Sequence, residues 1–171
     1  MKTKRLTTIA ILAAVYVVLA FMTPVKLVNF KFTFEAFPIL IAGFLMGKMD
    51  GLLVGLLGSG IYQILFSGYG ITPSTPLWIL PHAFSGFMVG LLSEKVKGEL
   101  DTKKIVSISA LSAVCVTLLN TLALYADSKL YGYYSAKLVF GSLLWKFAAG
   151  LVLSFVYALI LPELLKRLKQ G

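Results

Sequence analysis

Charged residues are scarce in this sequence of 171 residues. Only 13% of the residues are charged and 58% are hydrophobic, and the hydrophobic residues fall in long blocks. A soluble domain of this length carries roughly a quarter charged residues. The composition therefore excludes an ordinary soluble domain and predicts a polytopic, all-α membrane protein with a single domain over residues 1–171, embedded in a lipid bilayer.

Cysteine and histidine are nearly absent. Cys115 and His82 are the sole residues of their types, which excludes an intramolecular disulfide and leaves too few ligands for a metal site. The sequence also lacks the nucleotide-binding pattern G-x-x-x-x-G-K-[ST], and its seven acidic residues include no pair on one membrane-helix face. We therefore expect no enzyme, no bound metal and no cofactor, with any ATP used by partner subunits.

Six apolar segments are separated by short charged or Pro/Gly-rich stretches. The first, fifth and sixth are long enough to cross a hydrocarbon core of about 30 Å at about 1.5 Å per residue, and the middle three are shorter. "GKMDG" at 47–51 indicates a turn between the second and third segments. The predicted helices are 6–22, 36–47, 51–66, 78–93, 105–125 and 138–161.

Basic residues are unevenly distributed between the two sides of these helices. With the N-terminus inside, the cytoplasmic segments hold eleven lysines and arginines and the external segments hold four. This bias predicts a multi-pass protein of the plasma membrane with both termini cytoplasmic. It also accounts for the net charge of +9 without a nucleic-acid partner. No small-residue cleavage site follows the first apolar run, so we expect a retained helix there.

Polar and aromatic residues cluster in the outer half of the predicted helices, whereas the inner half is almost entirely apolar. A channel or carrier needs polar groups through the full thickness of the membrane. The pattern instead favours a small-molecule pocket that opens to the outside. Its candidate residues are Glu35, Tyr62, Gln63, Trp78, His82, Asn120, Tyr125, Trp145 and Lys146.

Lys146 is the most informative candidate, because it lies about 12 Å below the outer start of the sixth segment by the helical rise. A lone ammonium at that depth costs several kcal/mol. Lys146 therefore neutralises an anionic group of a ligand, pairs with Glu35 or Asp127, or snorkels towards the membrane surface. Trp145 beside it is a better candidate for the pocket than Trp78, for which an interfacial aromatic belt is the default.

Two further candidates have structural alternatives. His82, which follows Pro81, either donates a hydrogen bond in the pocket or holds a broken helix start. Asn120 either contacts a ligand amide or cross-links two helices through its side chain.

The first helix carries small residues in the stretch "TIAILAAVYVVLA", with Ala10 and Ala14 one turn apart on one face. Small residues allow helices to approach closely in lipid. The spacing is equally compatible with packing inside the chain and with contact to another protein.

The order of several motifs resembles the S components of energy-coupling-factor (ECF) vitamin transporters. The motifs are A-x-x-x-A at Ala10 and Ala14, "FTFEAFPILIAGFLMG" after an external loop, a glycine-rich third helix, "PHAFSGFMVGLL", and "LLNTLAL" followed by a basic sixth helix. The resemblance covers nearly the whole chain and implies a six-helix protein that binds a water-soluble vitamin.

The resemblance also implies partners and roles. An S component captures its vitamin beneath the first external loop and associates with a transmembrane coupling protein and two cytoplasmic ATPases. Ala10 and Ala14 would then form the docking surface. The loop 24–33 would be the lid of the pocket, with the side chains of Lys26, Phe30, Lys31 and Phe32. The alternative for the two lysines is contact with lipid headgroups alone.

The local pattern is nearest to the pantothenate and folate subgroups. Arg5 and Arg167 are the sole arginines and both are predicted to be cytoplasmic, which disfavours folate. Lys146 and Asn120 suit a carboxylate and an amide, so pantothenate is the first expectation, followed by folate or riboflavin. The competing hypotheses are a freestanding secondary carrier or channel and a structural membrane subunit without a ligand.

Overall fold

The computed structural model describes residues 2–22, 25–27, 30–68, 70–96 and 101–170. Apart from one short hairpin, the described chain is helical. The elements are α1 (Lys2–Met22), β1 (Val25–Leu27), β2 (Phe30–Phe32), α2 (Ala36–Met46), α3 (Lys48–Leu65), α4 (Thr75–Lys95), α5 (Thr102–Leu130), α6 (Ala136–Phe140) and α7 (Leu143–Gln170).

The helices confirm the predicted all-helical membrane fold. Within the described residues, four stretches are long and apolar enough to cross a membrane: Thr3–Met22, Thr75–Lys95, Thr102–Leu130 and Ala136–Leu168. The last of these contains a break, because residues 141 and 142 separate α6 from α7. The sixth apolar segment of the sequence is therefore two helices in the structure.

Two local predictions need correction. The turn expected over 47–51 is confined to Gly47, whose φ of 93° ends α2, and α3 begins at the next residue. Pro81 lies inside α4, which runs without interruption through His82, so His82 does not hold a broken helix start. A proline six residues into the helix is compatible with its continuation when neighbouring groups compensate for the missing amide hydrogen.

A β-hairpin follows α1, within the region 24–33 for which the sequence predicts a loop. β1 and β2 pair in antiparallel register, with Lys26 opposite Lys31, and β2 contacts α7. The side chains of Lys26, Phe30, Lys31 and Phe32 lie outside the described part of the chain, so their role in a lid stays a prediction.

α2 lies at the centre of the bundle and contacts α1, α3, α4 and α7. Every residue from Pro38 to Phe44 is buried, so this helix is apolar on all sides because it is surrounded by protein. One group of core residues joins α2 to α1 and α3, and a second joins it to α4, α5 and α7.

The α3–α4 interface is the largest between two elements and depends on glycine. A Cβ atom at Gly51 would overlap the carbonyl oxygen of Gly86, and one at Gly55 would overlap the carbonyl oxygen of His82. Lipid provides no hydrophobic drive for helix association, so close backbone contact over small residues is what favours this pair.

Two ion pairs close one end of the bundle. Arg5 on α1 donates one bifurcated hydrogen bond from Nε to both carboxylate oxygens of Asp50 on α3 and another from Nη2, at 2.6–2.9 Å. Asp50 is 2% exposed. Lys48 Nζ lies 2.9 Å from Glu94 Oε2 and joins α3 to α4. These ion pairs lie at the end of the bundle that is predicted, from the distribution of basic residues, to face the cytoplasm.

The glycine interface yields a stability prediction. Gly51→Ala should lower the free energy of unfolding by about 1–3 kcal/mol, because the methyl group must displace backbone of α4. Gly60→Ala on the same helix is the matched control, since its nearest neighbour would be Ile79 Cδ1 at 3.8 Å. That control should be neutral or more stable by up to about 1 kcal/mol. Thermal unfolding in detergent measures both, and equal melting temperatures would contradict the prediction.

Candidate substrate-binding site

Three helices and the residue that precedes α2 bring polar groups together inside the bundle. Glu35 precedes the first residue of α2, and its Oε1 lies 3.9 Å from Nε2 of His82 on α4. Both side chains are largely buried, at 17% and 13% exposed. The ring of Tyr16 on α1 meets the His82 ring edge to face, with centroids 5.6 Å apart.

Tyr16 and Tyr62 extend this group towards α3. Tyr16 is 1% exposed, and Gly58 makes room for it, because a Cβ atom there would overlap the tyrosine ring. Tyr62 is partly buried and packs against the core group that contains Tyr16.

Tyr157 on α7 completes the cluster from the opposite side. Its ring contacts Phe37 and Phe34, with centroid distances of 5.6 and 6.4 Å. Tyr157 is 4% exposed, and its hydroxyl has no hydrogen-bond partner among the described residues. A buried hydroxyl left unsatisfied costs about 1–3 kcal/mol. We call Tyr16, Glu35, His82 and Tyr157 the polar layer.

The polar layer lies near the middle of the membrane thickness. Eleven residues separate Arg5 from Tyr16 and twelve separate His82 from Glu94. At about 1.5 Å per residue, each count places the layer about 16–18 Å above the ion pairs. The eleven residues of α2 give about the same depth for Glu35. The hydrocarbon core is about 30 Å thick, so the layer is deeper than the outer positions that the sequence indicates.

Lys146 lies on the same helix as Tyr157 but closer to its start. It is half-buried and forms no ion pair with any described acid. Its amide donates to the carbonyl of Ser142, whose own buried hydroxyl has no partner among the described residues. The eleven residues from Lys146 to Tyr157 are about three turns and about 16 Å, so both residues lie on nearly the same face of α7.

The remaining candidates are not joined to the polar layer by any described contact. Gln63, Trp78 and Asn120 are half-buried. Trp145 is 73% exposed and Tyr125 is 40% exposed. Neither of these two belongs to the buried cluster, and whether they contact a ligand stays a prediction.

Tyr125 belongs to a separate group at the end of α5. Its ring contacts that of Tyr134, and Lys129 Nζ lies 4.0 Å from the Tyr134 centroid. The Tyr133 hydroxyl donates to Asp127 Oδ2. Asp127 is thus hydrogen-bonded by a phenol, and no described contact joins it to Lys146.

Sequence reasoning missed Tyr16, Phe34, Phe37 and Tyr157. Tyr16 had a usable signal, because it continues a helical face formed by Ile9, Ala13 and Ala20, all of which are buried. Tyr157 had none, since a tyrosine in an apolar run is not distinguished from a lipid-facing one by its position along the helix.

The fold and the site identify the protein as a polytopic helical membrane protein with a polar and aromatic cluster at mid-depth. The chain belongs to the family of ECF-type riboflavin transporter S components, whose family profile matches residues 1–170. The resemblance seen in the sequence is thereby confirmed, and with it a membrane-embedded, substrate-binding transporter subunit of a family that is not enzymatic.

Solved structures agree with this fold. The FolT crystal structure with bound folic acid has a TM-score of 0.75 at 20% identity, covering 94% of this chain and 93% of that one. The S component for biotin from an ECF-type ABC transporter has a TM-score of 0.73 at 16% identity, covering 99% and 93%. The S component of a bacterial ECF transporter has a TM-score of 0.70 at 26% identity, covering 99% of both chains. No curated protein sequence matches the chain.

Proposed function

We propose that this protein is the vitamin-capturing subunit of an ATP-driven importer in the plasma membrane, and that its vitamin is riboflavin. The observation that carries the proposal is the polar layer, which combines a carboxylate, an imidazole and two buried phenols beside the hairpin. In a protein of the riboflavin S-component family, this is the place where a ring-bearing ligand has both aromatic surface and hydrogen-bond partners.

Riboflavin replaces pantothenate as the first choice for two reasons. The family profile is that of riboflavin transporter S components. The rings of Phe34 and Phe37 also lie next to the polar layer, with centroids 6.4 and 5.6 Å from that of Tyr157. Lys146, which together with Asn120 favours pantothenate in the sequence, is compatible with riboflavin as well, because an ammonium donates to the carbonyl of a flavin as well as to a carboxylate.

The packing below the layer supports a binding subunit in preference to a channel. Between the polar layer and the ion pairs, α3 and α4 meet through Gly51 and Gly86, and Val54 and Val89 are also buried there; none of these four residues carries a side-chain polar atom. A permeating polar solute would need solvation along that stretch. We infer that release to the inside depends on partner subunits, a transmembrane coupling protein and two cytoplasmic ATPases.

The exposed face of α1 is the proposed docking surface. Ala10 and Ala14 are exposed, whereas Ala13 and Ala20 are 3% and 0% exposed. Ala10 and Ala14 thus lie outside the buried core of the described residues, which supports a contact with another protein. With both termini cytoplasmic, this face is continuous with the end that carries Arg5.

Purified protein should bind riboflavin. We expect quenching of flavin fluorescence with a Kd below about 10 µM, which corresponds to roughly 7 kcal/mol. Pantothenate, folate, thiamin, biotin and pyridoxal are the comparison ligands in the same titration. Absence of binding to every vitamin would overturn the proposed function, and tighter binding of another vitamin would overturn the choice of riboflavin. Uptake of riboflavin by proteoliposomes of this chain alone would instead favour a freestanding carrier.

Lys146→Met should weaken vitamin binding by roughly tenfold or more, because a charged donor to a ligand oxygen contributes about 1.5–3 kcal/mol. Lys137→Met is the matched control, since Lys137 is exposed in α6. Isothermal titration of both variants measures the effect, and an unchanged Kd for Lys146→Met would show that the lysine has a structural role.

Ala10→Trp and Ala14→Trp should abolish ATP-driven uptake and leave vitamin binding intact, because the indole obstructs close helix approach without entering the buried layer. Ala148→Trp adds the same bulk to an exposed position of α7 and is the control. Uptake is measured in cells that supply the coupling protein and the ATPases. If both α1 variants still import the vitamin, the docking surface lies elsewhere.

A further inference from the structure

A buried ion pair joins α1 to α3 at the base of the bundle. The Arg5 guanidinium binds both carboxylate oxygens of Asp50, a residue that is 2% exposed. Removing one partner of a buried ion pair leaves an uncompensated charge, which is strongly destabilising. A slide of α1 along α3 would have the same effect, so the pair fixes the height of α1 relative to α3.

Above the ion pair, α1 and α3 pack through apolar side chains. Ile9 on α1 and Val54 on α3 are 3% and 0% exposed, and they belong to one group of core residues. Hydrophobic contacts of this kind are not directional. They stabilise the two helices against each other but specify their relative height less strictly than the ion pair does.

The height of α1 determines where Tyr16 lies in the polar layer. A Cβ atom at Gly58 would lie 2.6 Å from Tyr16 Cγ, and the tyrosine ring meets that of His82 at a centroid distance of 5.6 Å. Arg5 and Tyr16 are eleven residues apart on one continuous helix, which is about three turns and places them on the same face. Backbone hydrogen bonds hold the helical rise constant, so an axial shift at Arg5 displaces the Tyr16 ring equally.

His82 is held at its height by a different kind of contact. A Cβ atom at Gly55 would overlap the carbonyl oxygen of His82, and one at Gly90 would overlap the backbone of Lys48. Such close backbone contact prevents α4 from sliding along α3. The ion pair between Lys48 and Glu94 also joins these helices, but its side chains are 40% and 41% exposed, so it contributes little.

We propose that Arg5 and Asp50 are positioning residues for the ligand site: the buried pair sets the height of α1 and thereby holds the Tyr16 ring against His82 in the geometry that binds the vitamin. A binding site needs its side chains within about 0.5 Å of the productive geometry. The inference rests on the proposed function. It deepens that function by giving a role in affinity to two residues about 16 Å below the polar layer.

Arg5→Met and the double variant Arg5→Met/Asp50→Leu separate positioning from stability. Arg5→Met should lower the melting temperature, because Asp50 is left buried without its partner. The double variant has no unpaired charge, so its melting temperature should equal or exceed that of the unaltered protein. Its Kd for riboflavin should nevertheless rise roughly threefold to tenfold, because the directional contact is absent. Recovery of both the melting temperature and the Kd would show a purely structural role and overturn the proposal.

Lys48→Met/Glu94→Gln is the matched control for the double variant. It also removes an ion pair at the base of the bundle, and the glutamine keeps an acceptor for the Lys48 amide. The Kd for riboflavin should be unchanged, because backbone contact positions α4. A loss of affinity equal to that of Arg5→Met/Asp50→Leu would mean that any charge at this end has the same effect, which contradicts a specific role for the buried pair.

A double-mutant cycle tests whether the pair acts through Tyr16. Tyr16→Leu keeps an apolar side chain over Gly58 and removes the ring that meets His82, so it should weaken riboflavin binding by itself. In that background, Arg5→Met/Asp50→Leu should have no further effect on the Kd, because the ring that it displaces is absent. The same fold-change in both backgrounds would overturn the action through Tyr16.

The same riboflavin titration separates failure of this inference from failure of the proposed function. If the unaltered protein and Arg5→Met/Asp50→Leu bind riboflavin with the same Kd, the positioning role is overturned and the proposed function stands. If the unaltered protein binds no vitamin of the panel, both are overturned.

Discussion

The length of α2 is the constraint on which the rest of the structure depends. Its eleven residues span about 16 Å, roughly half of the hydrocarbon core. The chain that enters α2 is therefore at mid-depth, where unpaired backbone groups are costly. Pairing of β1 with β2 satisfies backbone groups of the entering segment. Glu35 follows at the same depth, and a carboxyl group there requires polar neighbours, of which His82 is one.

Glycine packing between α3 and α4 places those neighbours. Gly55 lies against the backbone of His82 and Ala83, and Gly58 lies against the ring of Tyr16. Both glycines are on α3, three residues apart, so one helix positions the imidazole from α4 and the phenol from α1. The same small residues that allow helix association in lipid therefore determine the geometry of the site.

The sequence predicted the elements that depend on composition and missed those that depend on which face is buried. Long apolar runs and charged breaks were enough for α1, α4 and α5, because membrane helices need apolar residues over a fixed length. The hairpin was missed because three-residue strands are too short for an alternating pattern to be recognised. Glu35 and His82 were predicted as site residues from their polarity, and the structure brings them together. Tyr157 was missed because burial of its ring depends on Phe34 and Phe37, which are more than 100 residues away in the chain.

Alanine has two different roles on α1. Ala13 and Ala20 lie on the buried face with Tyr16, where a small side chain lets α1 approach the helices that it packs against. Ala10 and Ala14 lie on the exposed face, where nothing in the described chain covers them. A helix turns about 100° per residue, so Ala13 and Ala14 necessarily face different surroundings. One helix therefore contributes a phenol to the polar layer and a smooth outer surface to the proposed partner, and the two surfaces share no residue. Changes to the docking face can for this reason leave the ligand site unaltered.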